Sequence, residues 1–417
     1  MSEPIRLLIL TSTLGRGGAD KQILNLGYHL DPERFRVKIV SMTPLDVMGV
    51  RGVERGLDIE SAGLASRTRG ARKTSGTKQR GLWGAAAGLV RIAATVRRFQ
   101  PDVLLTFMVH AALLGRLFRL CGLAGRHVSS VRSTRMSSRL FERMFRWTRR
   151  LDELTVVNSR NAARELTAKG ILDPARTRVI PNGIHVADFD APAPGGGWAA
   201  RPARPARRGD AVFTWIMVAR IVAAKDYDTL LEAVALLREP GRSFAGSFVV
   251  RSVGDGARAD RIRRRARELN LEGSIEFLGA RPDSDIPGML AEADAFVLSS
   301  AWEGMPNVVM EAAAASLPVV CTDVGGASEL VEEGASGFLV PPCNPEALAG
   351  AMERMMGLPE EQRRAMGRRG RERMERSYSV RAVIEMWREA LMEVTARSGG
   401  AAGAGARAGG NRAGGAA

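Results

Sequence analysis

Cysteine is scarce in this chain. Cys121, Cys321 and Cys343 are the only three in 417 residues, and they stand far apart with no C-x-x-C spacing. That excludes a disulfide scaffold or a structural zinc site and predicts reduced thiols. Long apolar runs are also missing. None reaches the roughly 18 residues expected of a membrane span, and "RLLIL" near the start is too short for a signal segment and reads as a first strand. Aromatic residues make up only 5% of the chain, which argues against a nucleic-acid-binding protein that stacks bases. No G-x-S-x-G elbow supports a serine nucleophile, and no G-K-S/T sequence completes a Walker loop.

Positive charge is abundant. The net charge is +16, concentrated in "RTRGARKTSGTKQR" (Arg67 to Arg80) and "RSTRMSSRLFERMFRWTRR" (Arg132 to Arg150). Such runs attract polyanions, from nucleic acid to acidic lipid heads, or they reflect an Arg-rich composition without a partner. In the second run, Leu140, Met144, Trp147 and Leu151 recur at the 4-3-4 spacing of one helix face, flanked by arginines. The pattern predicts an amphipathic helix lying on an anionic membrane surface. A core-facing helix with a basic back is the alternative.

Along the chain, apolar strand-like runs alternate with helical stretches, the pattern of buried parallel strands in a doubly wound α/β sheet. "IRLLILTST", "FRVKIVSM", "DVLLTFM", "HVSSVRS" and "LTVVNS" form one series. "AVFTWIMVAR", "SFVVRSVGDG", "SIEFLG", "DAFVLSS" and "LPVVCTDV" form a second. Between them, residues 191–210 are rich in Pro, Ala, Gly and Arg and read as a linker. The expected division is therefore residues 1–190, the linker, residues 211–377, a helix over 378–396, and a disordered Gly/Ala tail over 397–417. Two domains of this kind face a central cleft.

The stretch "SSAWEGMPNVVMEAAAASLPVV" sets Glu303 and Glu311 eight positions apart around a turn. "ADAFVLSS" is a strand, so the turn lies at its carboxyl end, where ligands of open α/β sheets bind. The free N–H groups of Asn307 and Val308 suit phosphate oxygens, Gly304 lets backbone approach a ligand, and Pro306 suits a first helical turn. Carboxylates repel phosphate, but they accept hydrogen bonds from sugar hydroxyls. A helix-entry pair with no ligand is the bland alternative. Arg220 closes another strand and Lys225 follows five residues later. Two cations at that edge suit a diphosphate leaving group.

Gly15, Gly17 and Gly18 lie in a strand-to-helix turn, but Asp20 breaks the G-x-G-x-x-G fingerprint. Gly254 lies in a similar turn, "SVGDGA". Of the four histidines, His29, His110, His127 and His185, only His110 ends a strand that faces the expected cleft. "DFD", "DYD" and "DSD" match D-x-D, but each sits where Asp serves as a cap or turn residue. No metal or cofactor is expected.

Taken together, "GRGGADKQILNL", "VIPNGIHVADF", "VARIVAAKDYDTLLEA" and the block from "FLGARPDSD" to "PPCNPEAL" resemble retaining glycosyltransferases of group 1. The likeness is to family GT4, with the two-domain GT-B fold, and runs to about Ala396. It implies transfer of a sugar from a nucleotide-diphosphate sugar to a glycan or lipid-linked acceptor, in polysaccharide, lipopolysaccharide or glycolipid synthesis at the cytoplasmic face of a membrane. It further implies that Arg220 and Lys225 neutralise the diphosphate and that Glu303 meets the transferred sugar beside the backbone of Gly304, Met305, Pro306 and Asn307. Asn307 and Val308 amides would lie near phosphate, Glu311 would hold the ribose, Gly17 and Gly18 would let the first domain approach the donor, and His110 would sit near the reacting centre. Asp20 stands where the family often has glutamate. A sugar-nucleotide epimerase or phosphorylase of the same fold, and a basic nucleic-acid-binding protein, are the competing readings.

Overall fold

The computed structural model describes residues 3–15, 17–64, 82–134, 138–190, 212–244 and 247–396. The expected linker, the basic run at Arg67 to Arg80 and the Gly/Ala tail lie outside them.

The first sheet holds β1 (Ile5–Thr11), β2 (Phe35–Ser41), β3 (Ile59–Ser61), β4 (Val103–Phe107), β5 (Arg126–Val131), β6 (Leu154–Val157) and β7 (Thr177–Val179). Their spatial order is β3-β2-β1-β4-β5-β6-β7, and every pairing is parallel. The second sheet holds β8 (Phe213–Val218), β9 (Phe248–Val253), β10 (Ile275–Gly279), β11 (Ala295–Leu298), β12 (Val319–Thr322) and β13 (Gly337–Val340). Its order, β10-β9-β8-β11-β12-β13, repeats the same reversal, again with parallel pairings.

The continuous apolar strands follow from burial on both faces. Successive side chains of β1 alternate between two cores. Leu7 and Ile9 pack with Phe107 and Trp387, while Leu8 and Leu10 pack with Ile92 and Val96. Because each sheet changes direction of growth between its first and fourth strands, crevices open at the carboxyl ends of β1/β4 and of β8/β11.

The chain crosses back at its end. After a π-turn over Met374–Tyr378, the helix Val380–Ala396 places Val383, Trp387, Ala390, Leu391 and Val394 in the core of the first domain. Backbone bonds Ile184 N to Tyr378 O (2.8 Å) and Val380 N to Ile184 O (3.0 Å) tie the crossing point. Further contacts join the domains: the Glu329 carboxylate accepts from Arg160 N at 2.7 Å, at the start of the helix Arg160–Ala168.

A buried ionic knot holds the helix Val109–Leu120 on the first sheet. Arg116 donates to both carboxylate oxygens of Asp152, at 2.9 and 2.6 Å, and His127 Nδ1 lies 2.7 Å from the same group. Ser129 and Thr155 donate their hydroxyls to it as well. Arg116 also stacks 3.7 Å from the ring centroid of Phe145, the buried residue of the helix Arg139–Thr148.

The remainder of that helix corrects one expectation. Leu140, Met144 and Trp147 face solvent at 65%, 38% and 79% exposure, with exposed Leu117 and Leu120 on the neighbouring helix. Leu151 does not continue the stripe as helix; it ends a 3₁₀ turn, Arg149–Leu151, and is half-buried. Phe145 alone supplies the inward anchor, so the stripe is left outside.

Candidate active site

The carboxyl edges of the two sheets meet across a cleft of about 680 Å³. Gly17, Gly18, Arg220, Lys225, Gly254, Glu311 and the run from Glu303 to Val308 all line it, whereas His110, Gly15 and Asp20 do not. His110 is exposed in the first turn of its helix and stacks edge-on against Phe141, with ring centroids 4.9 Å apart.

On the second domain, β11 ends at Leu298 and the loop runs to Pro306, which N-caps the helix Asn307–Ala314. Pro306 is thus the cap and not the first helical residue; its carbonyl accepts from Val309 N at 3.0 Å. The amides of Asn307 and Val308 stand at the opening of that helix, where free donors and the positive dipole end favour an anion. Beside them, β8 delivers Arg220, which is exposed and forms no ion pair among the described residues. Lys225 ends a 3₁₀ turn and is engaged: its ammonium bonds Glu303 Oε1, which also accepts from Ser300 Oγ at 2.7 Å. The turn after β8 therefore holds a paired lysine and an unpaired arginine close to the helix start.

The glycines have more specific reasons than ligand approach. A Cβ on Gly254, whose φ is +142°, would stand 2.0 Å from the Ala219 carbonyl oxygen, so glycine lets the turns after β8 and β9 touch. A Cβ on Gly304 would meet the Arg132 carbonyl oxygen at 2.3 Å, and one on Gly18 would meet Asn307 Nδ2 at 2.4 Å. Both are points where the domains press together across the cleft. Gly17 caps the first helix Gly18–His29 and donates its N–H to Asp20 Oδ2 at 2.8 Å. Burial raises the Asp20 carboxyl, outweighing the lowering effect of the Gly17 and Gly15 amides.

Cross-domain polar bonds complete the closure. Lys21 Nζ lies 3.0 Å from Glu311 Oε1 and 3.6 Å from Asp283 Oδ2. Burial alone would lower this lysine, but the two carboxylates raise it on balance. Asn182 Nδ2 donates to Asn307 Oδ1 at 2.5 Å, and Asn182 N lies 3.4 Å from Met305 Sδ. Met305 is therefore buried packing between domains as well as a wall of the cleft.

The sequence reading missed Lys21, Arg132, Asn158 and Asn182, all of which line the cleft. "PNG" around Asn182 and "NS" after β6 were visible as strand-end turns, the position at which they matter. Among the described residues no three His, Cys, Asp or Glu side chains gather as a metal cluster. Several D-x-D carboxylates have other partners: Asp226 caps its helix through Thr229, Asp228 pairs with Arg261 at 2.8 Å and Asp190 with Arg371 at 2.5 Å.

Comparison with known proteins agrees with the two-domain fold. Residues 205–373 match the family "Glycosyl transferases group 1", and residues 16–188 match "Glycosyltransferase Family 4". The chain is 30% identical over 251 residues to D-inositol 3-phosphate glycosyltransferase of Salinispora tropica, covering 57% of this chain and 51% of that protein. It is 34% identical over 182 residues to a UDP-Gal:alpha-D-GlcNAc-diphosphoundecaprenol alpha-1,3-galactosyltransferase of Escherichia coli, covering 43% and 45%. The chain thus spans about half the length of these relatives. The crystal structure of Anabaena HepE in complex with UDP superposes with a TM-score of 0.73 at 18% identity, over 93% of this chain and 100% of that one. That likeness is one of fold.

Proposed function

This chain belongs to the group 1 glycosyl transferases of the GT4 kind, and from that premise we propose that it moves a sugar from a nucleotide-diphosphate donor to an acceptor hydroxyl. The observation that carries the reading is the convergence of Arg220, Lys225, Glu303, Glu311 and the helix start at Asn307 on one cleft between the two sheets.

In this reading the diphosphate lies on the helix start, with Arg220 and Lys225 offsetting the charge that grows as the sugar departs. Glu311 accepts from the ribose hydroxyls and Glu303 from the sugar hydroxyls. Glu303 already accepts from Lys225 and Ser300, which suits a fixed binder better than an attacking group. Transfer then proceeds on the front face with retention: the acceptor oxygen bonds the anomeric carbon as the bond to the diphosphate breaks, and the departing phosphate oxygen takes the acceptor's proton. Positioning and preorganised charge supply the rate, without a metal. The family relatives named for a phosphoinositol and for a diphosphoundecaprenol-linked sugar support an acceptor in glycan or glycolipid synthesis. The exposed Leu140, Met144 and Trp147 among arginines support docking of the first domain on an anionic membrane.

A screen of sugar nucleotides for thermal stabilisation, followed by labelled-sugar transfer and analysis of the product's anomeric configuration, tests this. Stabilisation by one donor class with transfer and retention is the expected result. Sugar-nucleotide interconversion without transfer would replace it with the epimerase reading.

A further inference from the structure

Arg132 follows β5 and borders the cleft from the first domain. Its Nη1 donates to Asn182 Oδ1 at 2.9 Å, while Nε and Nη2 are covered and have no hydrogen-bond partner among the described residues. The guanidinium lies against two aromatic faces, 5.0 Å from the Phe107 centroid and 5.7 Å from that of Trp387. It forms no ion pair among the described residues. Desolvation alone pushes its pKa down to about 9. Lys21 and Lys225, the other half-buried cations lining the cleft, each have a carboxylate. Arg132 does not.

A covered charge with two idle donors is costly unless an anion meets it. Asn158 stands nearby, buried, with Oδ1 also lacking a partner among the described residues. Both residues flank the loop that carries Glu303: a Cβ on Gly304 would lie 2.3 Å from the Arg132 carbonyl and 3.1 Å from Asn158 Nδ2. Both line the same cleft as Glu303, from the opposite domain.

We propose that Arg132 and Asn158 form a phosphate subsite on the first-domain wall of the cleft, the arginine taking phosphate oxygens and the asparagine a hydroxyl beside them. The inference rests on the transferase reading and adds a class of ligand: a phosphate-bearing acceptor. A turn of the guanidinium off the Phe107 and Trp387 rings, pivoting on its bond to Asn182, presents Nε and Nη2 as a fork that matches two phosphate oxygens.

Inorganic pyrophosphate is the probe. In an Arg220→Ala/Lys225→Ala background the donor cations are gone, and calorimetry reads the residual binding. Arg132→Gln added to that background should weaken it by about tenfold or more, the scale of a lost charge-assisted bidentate contact; Arg132→Lys keeps the charge without the fork, should recover only part of the binding, and shows that the fold survives. Separately, Arg132→Gln alone should leave nucleoside diphosphate affinity unchanged, which assigns the phosphate to the acceptor; a tenfold loss there assigns it to the donor instead. Pyrophosphate and nucleotide affinities both unaltered by Arg132→Gln would overturn the subsite. A failure of every sugar nucleotide to bind would sink the transferase reading while leaving the pyrophosphate comparison intact.

Discussion

Lys21, on the first helix of one domain, and Glu311, inside the Asn307 helix of the other, meet across the cleft with 3.0 Å between Nζ and Oε1. The carboxylate proposed for ribose therefore already serves as a fixed acceptor, oriented by a cation of the opposite domain. Its other oxygen is the one left for a ligand hydroxyl.

The two glutamates should separate in binding experiments. Glu311→Ala removes an ionised acceptor, worth roughly 1.5–3 kcal/mol, and should weaken free nucleoside diphosphate as well as the donor. Glu303→Ala should abolish most transfer yet leave nucleoside diphosphate affinity nearly intact. Calorimetry on both variants decides; equal losses would mean the roles are misassigned.

Arg220→Ala and Lys225→Ala should each cost about 3 kcal/mol or more of transition-state stabilisation, as removal of a preorganised donor does. They should differ in stability. Arg220 is exposed and unpaired among the described residues, so its loss should leave unfolding unchanged. Loss of Lys225 strips Glu303 of its cation and should lower the thermal midpoint. Near-wild-type turnover by a folded double variant would refute the charge assignment.

Chelation should not stop the reaction. Two cations and a helix start occupy the position where a metal would otherwise neutralise the diphosphate. Turnover measured before and after EDTA is the test, and activity that vanishes and returns with magnesium or manganese would promote one of the D-x-D pairs.

Much of this site was legible because strand ends are legible. Continuous apolar runs marked most strands of both sheets, though not the short edge strands β3, β7 and β13, and the residues after them, from Arg220 to Glu303, fall where such sheets bind ligands. What stayed hidden were contacts between domains. Nothing local in "GGADKQ" says that Lys21 meets Glu311, 290 residues away, or that Gly18 must be small because Asn307 lies against it. Arg132 was hidden differently: inside a basic run it looks like one solvated charge among seven, and only its two aromatic neighbours and missing carboxylate set it apart.

The knot around Asp152 predicts a large, pH-dependent loss. Burial pushes this carboxyl up, but hydrogen bonds from His127 and Arg116 and their charges hold it well below its ordinary value. Its stabilisation is thus fully present above the unfolded value near 3.8 and fades as pH falls through the lower folded one. Asp152→Asn leaves Arg116 buried without its partner and should cost about 3–5 kcal/mol at neutral pH. Urea unfolding of both proteins checks it: the gap should be present at pH 7 and narrow as pH falls below 4. A gap under 1 kcal/mol at neutral pH would show that the knot is dispensable.

The last prediction concerns the surface beside the cleft. Leu140, Met144 and Trp147 project from one helix and Leu117 and Leu120 from its neighbour, all exposed. Phe145 already satisfies the inward face, so packing among the described residues does not account for the rest. Exposed Arg139, Arg143, Arg146 and Arg150 surround them. Arg146 is partly spent on the Lys169 carbonyl, at 2.8 Å, which fixes the helix in place. Apolar side chains flanked by guanidinium groups fit an anionic membrane: the former enter the interface and each arginine near the surface contributes on the order of 1 kcal/mol. Binding should therefore be strong on vesicles containing phosphatidylglycerol, weak on pure phosphatidylcholine, and reduced by salt. Arg143→Glu/Arg150→Glu should lose the salt-sensitive part, and Trp147→Ser the part that remains at high salt. Sedimentation of wild type and both variants with the two vesicle types measures this; binding that ignores both changes would place the contact elsewhere on the chain.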